Sequence, residues 1–207
     1  MSKDNKAEKI HDGPWKTNMD SYKGGSAPPA EFIGSGLVAG IVGNLLTYHF
    51  LPKRDDNSAW GALSLLFQSM ALPAFLFFNE THQCVMLRQA QSPKASYSPA
   101  GAEAAGLTPF EIVESNRIHR NQMESFAYFF TTALGLASFC SHDSFYDARL
   151  MPAMVINYTI GRFLYRFGYR SQNPHKRLFG MAYSMVVCIP AIFYGMYKFA
   201  TEVVLAA

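Results

Sequence analysis

Apolar residues in this chain fall in blocks of about 20, the length that spans the hydrocarbon core of a bilayer as helix. Such blocks cover Glu31 to Leu51, Ala59 to Phe78, the apolar half of Pro109 to Cys140, Ala148 to Tyr169, and Lys176 or Arg177 to about Thr201. No water is present in that core to satisfy a bare backbone, so an all-α integral membrane protein of five spans is the expected class. Composition agrees: 49% of the 207 residues are hydrophobic and 16% charged, and the charges sit in the tail, the loops and a few helix ends. A formal charge of +3, scattered along the chain, excludes a nucleic-acid footprint. Cys84, Cys140 and Cys188 lie far apart, form no metal-ligand spacing, and read as buried free thiols.

Residues 1–29 read as a flexible tail ending in Gly24-Gly-Ser-Ala-Pro-Pro29. Residues 30–54 form a first span and its turn. Its Gly36-x-x-x-Gly40 pair leaves a flat strip for close approach of another helix, although glycine is also common in membrane helices generally. Pro73 is placed to kink the second span, and the fifth span contains Pro190. Thr108-Pro-Phe-Glu111 has the cap, first-turn proline and capping-box acid of a helix start. With the N-terminus in the cytosol, that side collects the tail lysines with Arg88, Lys94, Arg117, Arg120, Arg166, Arg170, Lys176 and Arg177. The other side holds Lys53, Arg54, Arg149 and Lys198. The positive-inside rule selects that topology. It also brings Arg88, the Arg117 cluster and the turn after Tyr169 to one membrane face.

At the mouth of the third span, Arg117, Asn121, Glu124 and Tyr128 are spaced to share one helix face. Arg162, Tyr165, Arg166 and Tyr169 share another in the fourth. Polar groups at such positions are costly unless they face protein or a wet cavity. Arginine pairs with carboxylates through two parallel hydrogen bonds, glutamate holds an ammonium, and a thiol beside arginine ionises more readily. These parts suit a small anionic thiol peptide, with the bilayer as reservoir for a lipophilic co-substrate. Taken singly, Arg166, Arg170 and Lys176 also fit arginines and lysines that snorkel to headgroups, and the tyrosines an interfacial aromatic belt. A transporter would need polar residues through several spans; only Gln68, Asn157 and a few hydroxyls lie there.

Arg117-Ile-His-Arg-Asn121-Gln-Met-Glu124 resembles the Arg-Ala-(His/Gln)-x-Asn-x-x-Glu signature of the membrane-associated proteins in eicosanoid and glutathione metabolism (MAPEG). Arg162-Phe-Leu-Tyr165-Arg-Phe-Gly168-Tyr169, followed by a basic residue on the next helix, resembles its second half. The resemblance covers roughly Ala59 to Thr201. It implies a four-helix bundle over residues 55–207, preceded here by one extra span, and a homotrimer with glutathione bound at the cytosolic end. Arg117, His119, Asn121, Glu124, Tyr165 and Tyr169 would then contact glutathione, with Arg88 as a further basic contact. Arg177, or Lys176, would stabilise its thiolate. The implied activity is transfer of glutathione to lipophilic electrophiles, or reduction of lipid hydroperoxides. The implied location is the endoplasmic reticulum, with other endomembranes or the outer mitochondrial membrane as alternatives. The sequence departs from the signature at Ile118, where the family has Ala, and at Ala127, where it has a kinking Pro. With the extra span, these departures resemble divergent five-span members of the family. They also admit a non-catalytic protein that keeps the fold for a structural, trafficking or lipid-organising role.

Overall fold

A computed structural model describes residues 30–89, 109–141, 144–170 and 174–204. The described residues form helices and connecting turns, with no strand among them. In chain order these are α1 (Ala30–Phe50), α2 (Ala59–Ser69), α3 (Ala71–Gln89), α4 (Pro109–Ser138), α5 (Leu150–Arg170), α6 (Pro174–Met185), α7 (Cys188–Lys198) and a π-helical turn, Phe199–Val204. The all-α membrane class expected from the sequence is therefore observed. Ala30–Phe50, Ala59–Gln83 and Lys176–Thr201 are each long and apolar enough to cross a membrane. The 30 residues of α4 and 21 of α5 rise about 45 and 31 Å at 1.5 Å per residue, also membrane length. Those two carry more charge. On α5 the charged side chains that are described, Arg162 and Arg166, are buried within the protein.

Both prolines interrupt their spans. Pro73 and Pro190 each stand third in a helix, α3 and α7, just after a break at Met70 and at Val186–Val187. A proline offers no N–H to the carbonyl four residues back, so the helix in front of it loses a bond and loosens there. Across the first break, Met70 N–H is shared between Leu66 O at 3.1 Å and Phe67 O at 3.2 Å, and Ala74 N–H reaches Met70 O at 3.1 Å. Proline acts differently at a helix start, where no N–H is needed. Pro109 opens α4, as the sequence indicates. Pro174 opens α6, two residues before the expected Lys176. With Ala127 in place of proline, α4 continues unbroken to Ser138.

The described residues divide into two compact units. One gathers those from Phe77 to Asn121; the other gathers Glu31–Leu76 and those from Gln122 onward. In the first, the rings of Phe78 and His82 stack one turn apart at 6.1 Å, and Glu80 is buried. In the second, α1 lies on α6 through the glycine strip. A β-carbon at Gly36 would come within 2.6 Å of Phe179 O, and one at Gly40 within 2.8 Å of Tyr183 O. No side chain fits between backbones that close. A polar junction completes the seam. Asn157 of α5 donates to Thr47 of α1 at 3.0 Å and to Ala153 O at 2.9 Å, and accepts from Tyr183 of α6 at 2.8 Å. Asn157, a mid-span polar residue in the sequence, is thus fully provided for inside the protein.

A second junction lies at the α4–α5 turn. Asn57 accepts from Ala148 N–H at 2.6 Å and from the Cys140 thiol at 3.5 Å, and donates to Ser141 O at 3.2 Å. Arg149 pairs with Asp147 at 2.7 Å, lies over the Tyr48 ring at 4.6 Å, and donates to Leu51 O at 3.3 Å. Burial alone would push the Asp147 carboxyl up. The hydrogen bonds and charge of Arg149 outweigh it and hold Asp147 below the usual carboxylate range. Tyr146 bonds to Leu136 O at 2.8 Å near the end of α4. Cys140 and Cys188 are free and buried, as read from the sequence.

Candidate functional site

The residues singled out on α5 and α6 come together because α5 and α6 touch backbone to backbone. A β-carbon on Gly168 would stand 2.6 Å from Arg177 N, and one on Gly180 would run into the backbone of Tyr165. This contact sets the first two turns of α6 against the last two turns of α5. The Tyr165 and Tyr169 rings lie 5.8 Å apart, both buried. The Arg162 guanidinium sits 4.3 Å from the Tyr165 ring centroid, and Arg177 lies 5.2 Å from that of Tyr169. Cations over aromatic faces are attracted by the ring quadrupole, more strongly away from water. Glu124 precedes Ser125, whose hydroxyl meets that of Tyr158 of α5 at 3.1 Å, so the carboxylate of α4 stands beside the α4–α5 contact. Glu124 itself is exposed. Of the two basic candidates at the head of α6, Arg177 is half-buried against Tyr169, whereas Lys176 is exposed.

One turn deeper, α4 packs on α5. Phe129 stacks on Tyr158 with centroids 4.0 Å apart, and the Ser125 hydroxyl meets that of Tyr158 at 3.1 Å. Gln122, Ser125 and Phe129 form one stripe of α4 at helical spacing. Gln122 and Arg162 are both fully buried, at 0% exposure.

His119 and Asn121 lie on the N-terminal half of α4, in the other compact unit, and both are partly buried. His119 Nδ1 is buried and has no hydrogen-bond partner among the described residues. Arg117 and Arg88 fall within α4 and α3, and their side chains lie outside the described residues. So does that of Arg170. Tyr128, placed by spacing on the Arg117 face, is 65% exposed.

The snorkelling alternative for Arg166 is not what the structure shows: this side chain is 7% exposed and turns inward. Helical spacing already grouped Arg162 with Tyr165 and Tyr169. Gln122 of the neighbourhood was missed, because nothing in the sequence distinguishes an inward glutamine from a solvated one.

Chemically, the neighbourhood offers two guanidinium groups, a carboxylate, a carboxamide and two phenols. That set can hold an anionic peptide by its ends and favour a negative charge on an atom near Arg177.

Comparison with known families gives one match over most of the chain. The model of the MAPEG family matches residues 66–197. The matched stretch begins in α2 and ends in α7, and it contains every residue of the neighbourhood; α1 precedes it. No curated protein and no solved structure matches the chain.

Proposed function

Because the chain belongs to the MAPEG family, an all-α membrane family with functions related to glutathione, we propose that it is a glutathione-dependent enzyme of the membrane surface. It acts on lipophilic electrophiles or lipid hydroperoxides. The observation that carries this reading is the cluster of Arg162, Tyr165, Tyr169 and Arg177, with Glu124 on the helix that packs against Tyr158. Arginine binds the tripeptide's carboxylates, and Glu124 binds its ammonium. The Arg177 guanidinium favours the thiolate, the nucleophilic form of the thiol. Arg117, His119 and Asn121, with Arg88, enter through the signature resemblance as further glutathione contacts.

In the transferase reaction the thiolate forms a carbon–sulfur bond as the electrophile's leaving group departs, and the thiol's proton goes to that group. In the peroxidase reaction the thiolate attacks the peroxide bond and releases the alcohol. A second glutathione then converts the sulfenic acid to the disulfide and water. The working form is a homotrimer in the endoplasmic reticulum membrane, with the N-terminus and site on the cytosolic side. A non-catalytic role is the second reading, favoured by α1, which lies outside the family match yet is bonded into the protein.

The test is calorimetry of glutathione binding to the detergent-purified protein, with Arg117→Ala, Glu124→Ala and Arg177→Ala. Binding in the micromolar to millimolar range, weakened in Arg117→Ala and Glu124→Ala, is expected. Arg177→Ala is expected to lose turnover and the thiolate absorbance of bound glutathione. A folded protein that binds no glutathione overturns the proposal. Binding without turnover of any electrophile or hydroperoxide selects the non-catalytic reading.

A further inference from the structure

Gln122 has a side chain of 0% exposure, and neither Nε2 nor Oε1 has a hydrogen-bond partner among the described residues. A buried carboxamide left in that condition is costly, because water satisfied both atoms before folding. Ordinary packing offers no return for it; a leucine or methionine would fill the same space without the penalty. Buried polar groups persist at such positions when something other than the protein completes their hydrogen bonds.

Its location indicates what that is. Gln122 begins the α4 stripe that continues through Ser125 and Phe129, both in contact with Tyr158 of α5. The short turn between α4 and α5 makes the two helices antiparallel neighbours. One turn back along α4 from Ser125 therefore lies level with one turn forward along α5 from Tyr158. That is Arg162, whose guanidinium lies 4.3 Å from the Tyr165 ring centroid. The carboxamide thus stands at the inner end of the arginine–tyrosine neighbourhood, where the glutathione of the proposed function would reach. A carboxamide presents a donor and an acceptor side by side, the complement of a peptide group's C=O and N–H.

We propose that Gln122 is a ligand-contacting residue of this site, hydrogen-bonded to a peptide group of bound glutathione. The inference rests on the glutathione reading, and the experiment separates the two. Glutathione affinity is measured by calorimetry for the full-length wild type and for Gln122→Met, which has the same length and no polar hydrogen-bonding amide. Two glutathione analogues, each N-methylated at one of the peptide bonds, are titrated into both proteins. We expect Gln122→Met to bind glutathione at least tenfold more weakly, with a ligand-free melting temperature equal to or above that of wild type. One analogue is expected to lose affinity for wild type but to bind Gln122→Met no worse than glutathione does. Gln122→Glu, which keeps size and acceptor but loses the donor, is the second variant and is also expected to bind more weakly. Unchanged glutathione affinity in both variants overturns the role of Gln122 and leaves the function standing. So does an equal methylation penalty in wild type and Gln122→Met. Absence of glutathione binding by the wild type overturns both.

Discussion

Single residues show where hydrogen-bonding groups are satisfied inside a membrane protein. Asn157 meets both of its obligations within the chain, through Thr47, Ala153 and Tyr183. Replacing it with Leu strands the Tyr183 hydroxyl and should cost about 1 kcal/mol, the usual scale of interhelical hydrogen bonds in membranes. Unfolding in mild detergent, followed by SDS titration, measures it; an unchanged midpoint contradicts the role given to the junction. Asp147 makes a pH-dependent contribution. Its pKa is lowered in the folded protein, so its stabilisation is present above the unfolded value, about 4, and disappears as pH falls through the folded value. Asp147→Asn should therefore melt below wild type at neutral pH, by about 1 kcal/mol for a partly exposed pair. The two melting curves should converge at acid pH; a gap that persists there would show that charge is not its source.

At the level of elements, much of the structure was legible because its causes are local. Glycine spacing indicated the close face of α1, Pro109 the start of α4, and Pro73 the broken second span. Helical spacing also grouped Arg162, Tyr165, Arg166 and Tyr169 correctly. It could not say whether that stripe faces lipid or protein, because spacing fixes which residues share a face and not what the face meets. Asn57 was illegible for a related reason: it reads as a turn residue, and only the folded chain brings Ala148, Cys140 and Ser141 to it. The α1–α6 seam gives a direct prediction. Gly40→Leu forces the side chain into the backbone of Tyr183 and should destabilise by about 1–3 kcal/mol, the usual cost of overpacking. Gly34→Leu, where a β-carbon meets nothing within 4 Å, should be neutral. Equal melting temperatures for the two variants would exclude the glycine strip as a packing surface.

For the whole molecule, family membership over residues 66–197 and an N-terminal helix outside that range describe a family member with an added part. The proposed topology predicts that a protease added to sealed microsomes removes the N-terminal tail. Protection of the tail would reverse the assignment of faces and place the arginine–tyrosine neighbourhood in the lumen. The proposed homotrimer predicts a single species of three chains by native mass spectrometry from detergent, and a monomer under the same conditions contradicts it.

The glycine strip also bears on how the protein is made. Gly36 and Gly40 leave the ribosome early, while Phe179 and Tyr183, against which they close, are among the late segments. Contacts between such distant parts of a chain form slowly and last. Until those later segments are made, α1 must wait with its glycine face and Asn44 turned toward lipid or a temporary partner. A chain stalled before Phe179 would therefore hold a first helix whose glycine face has nothing to close on.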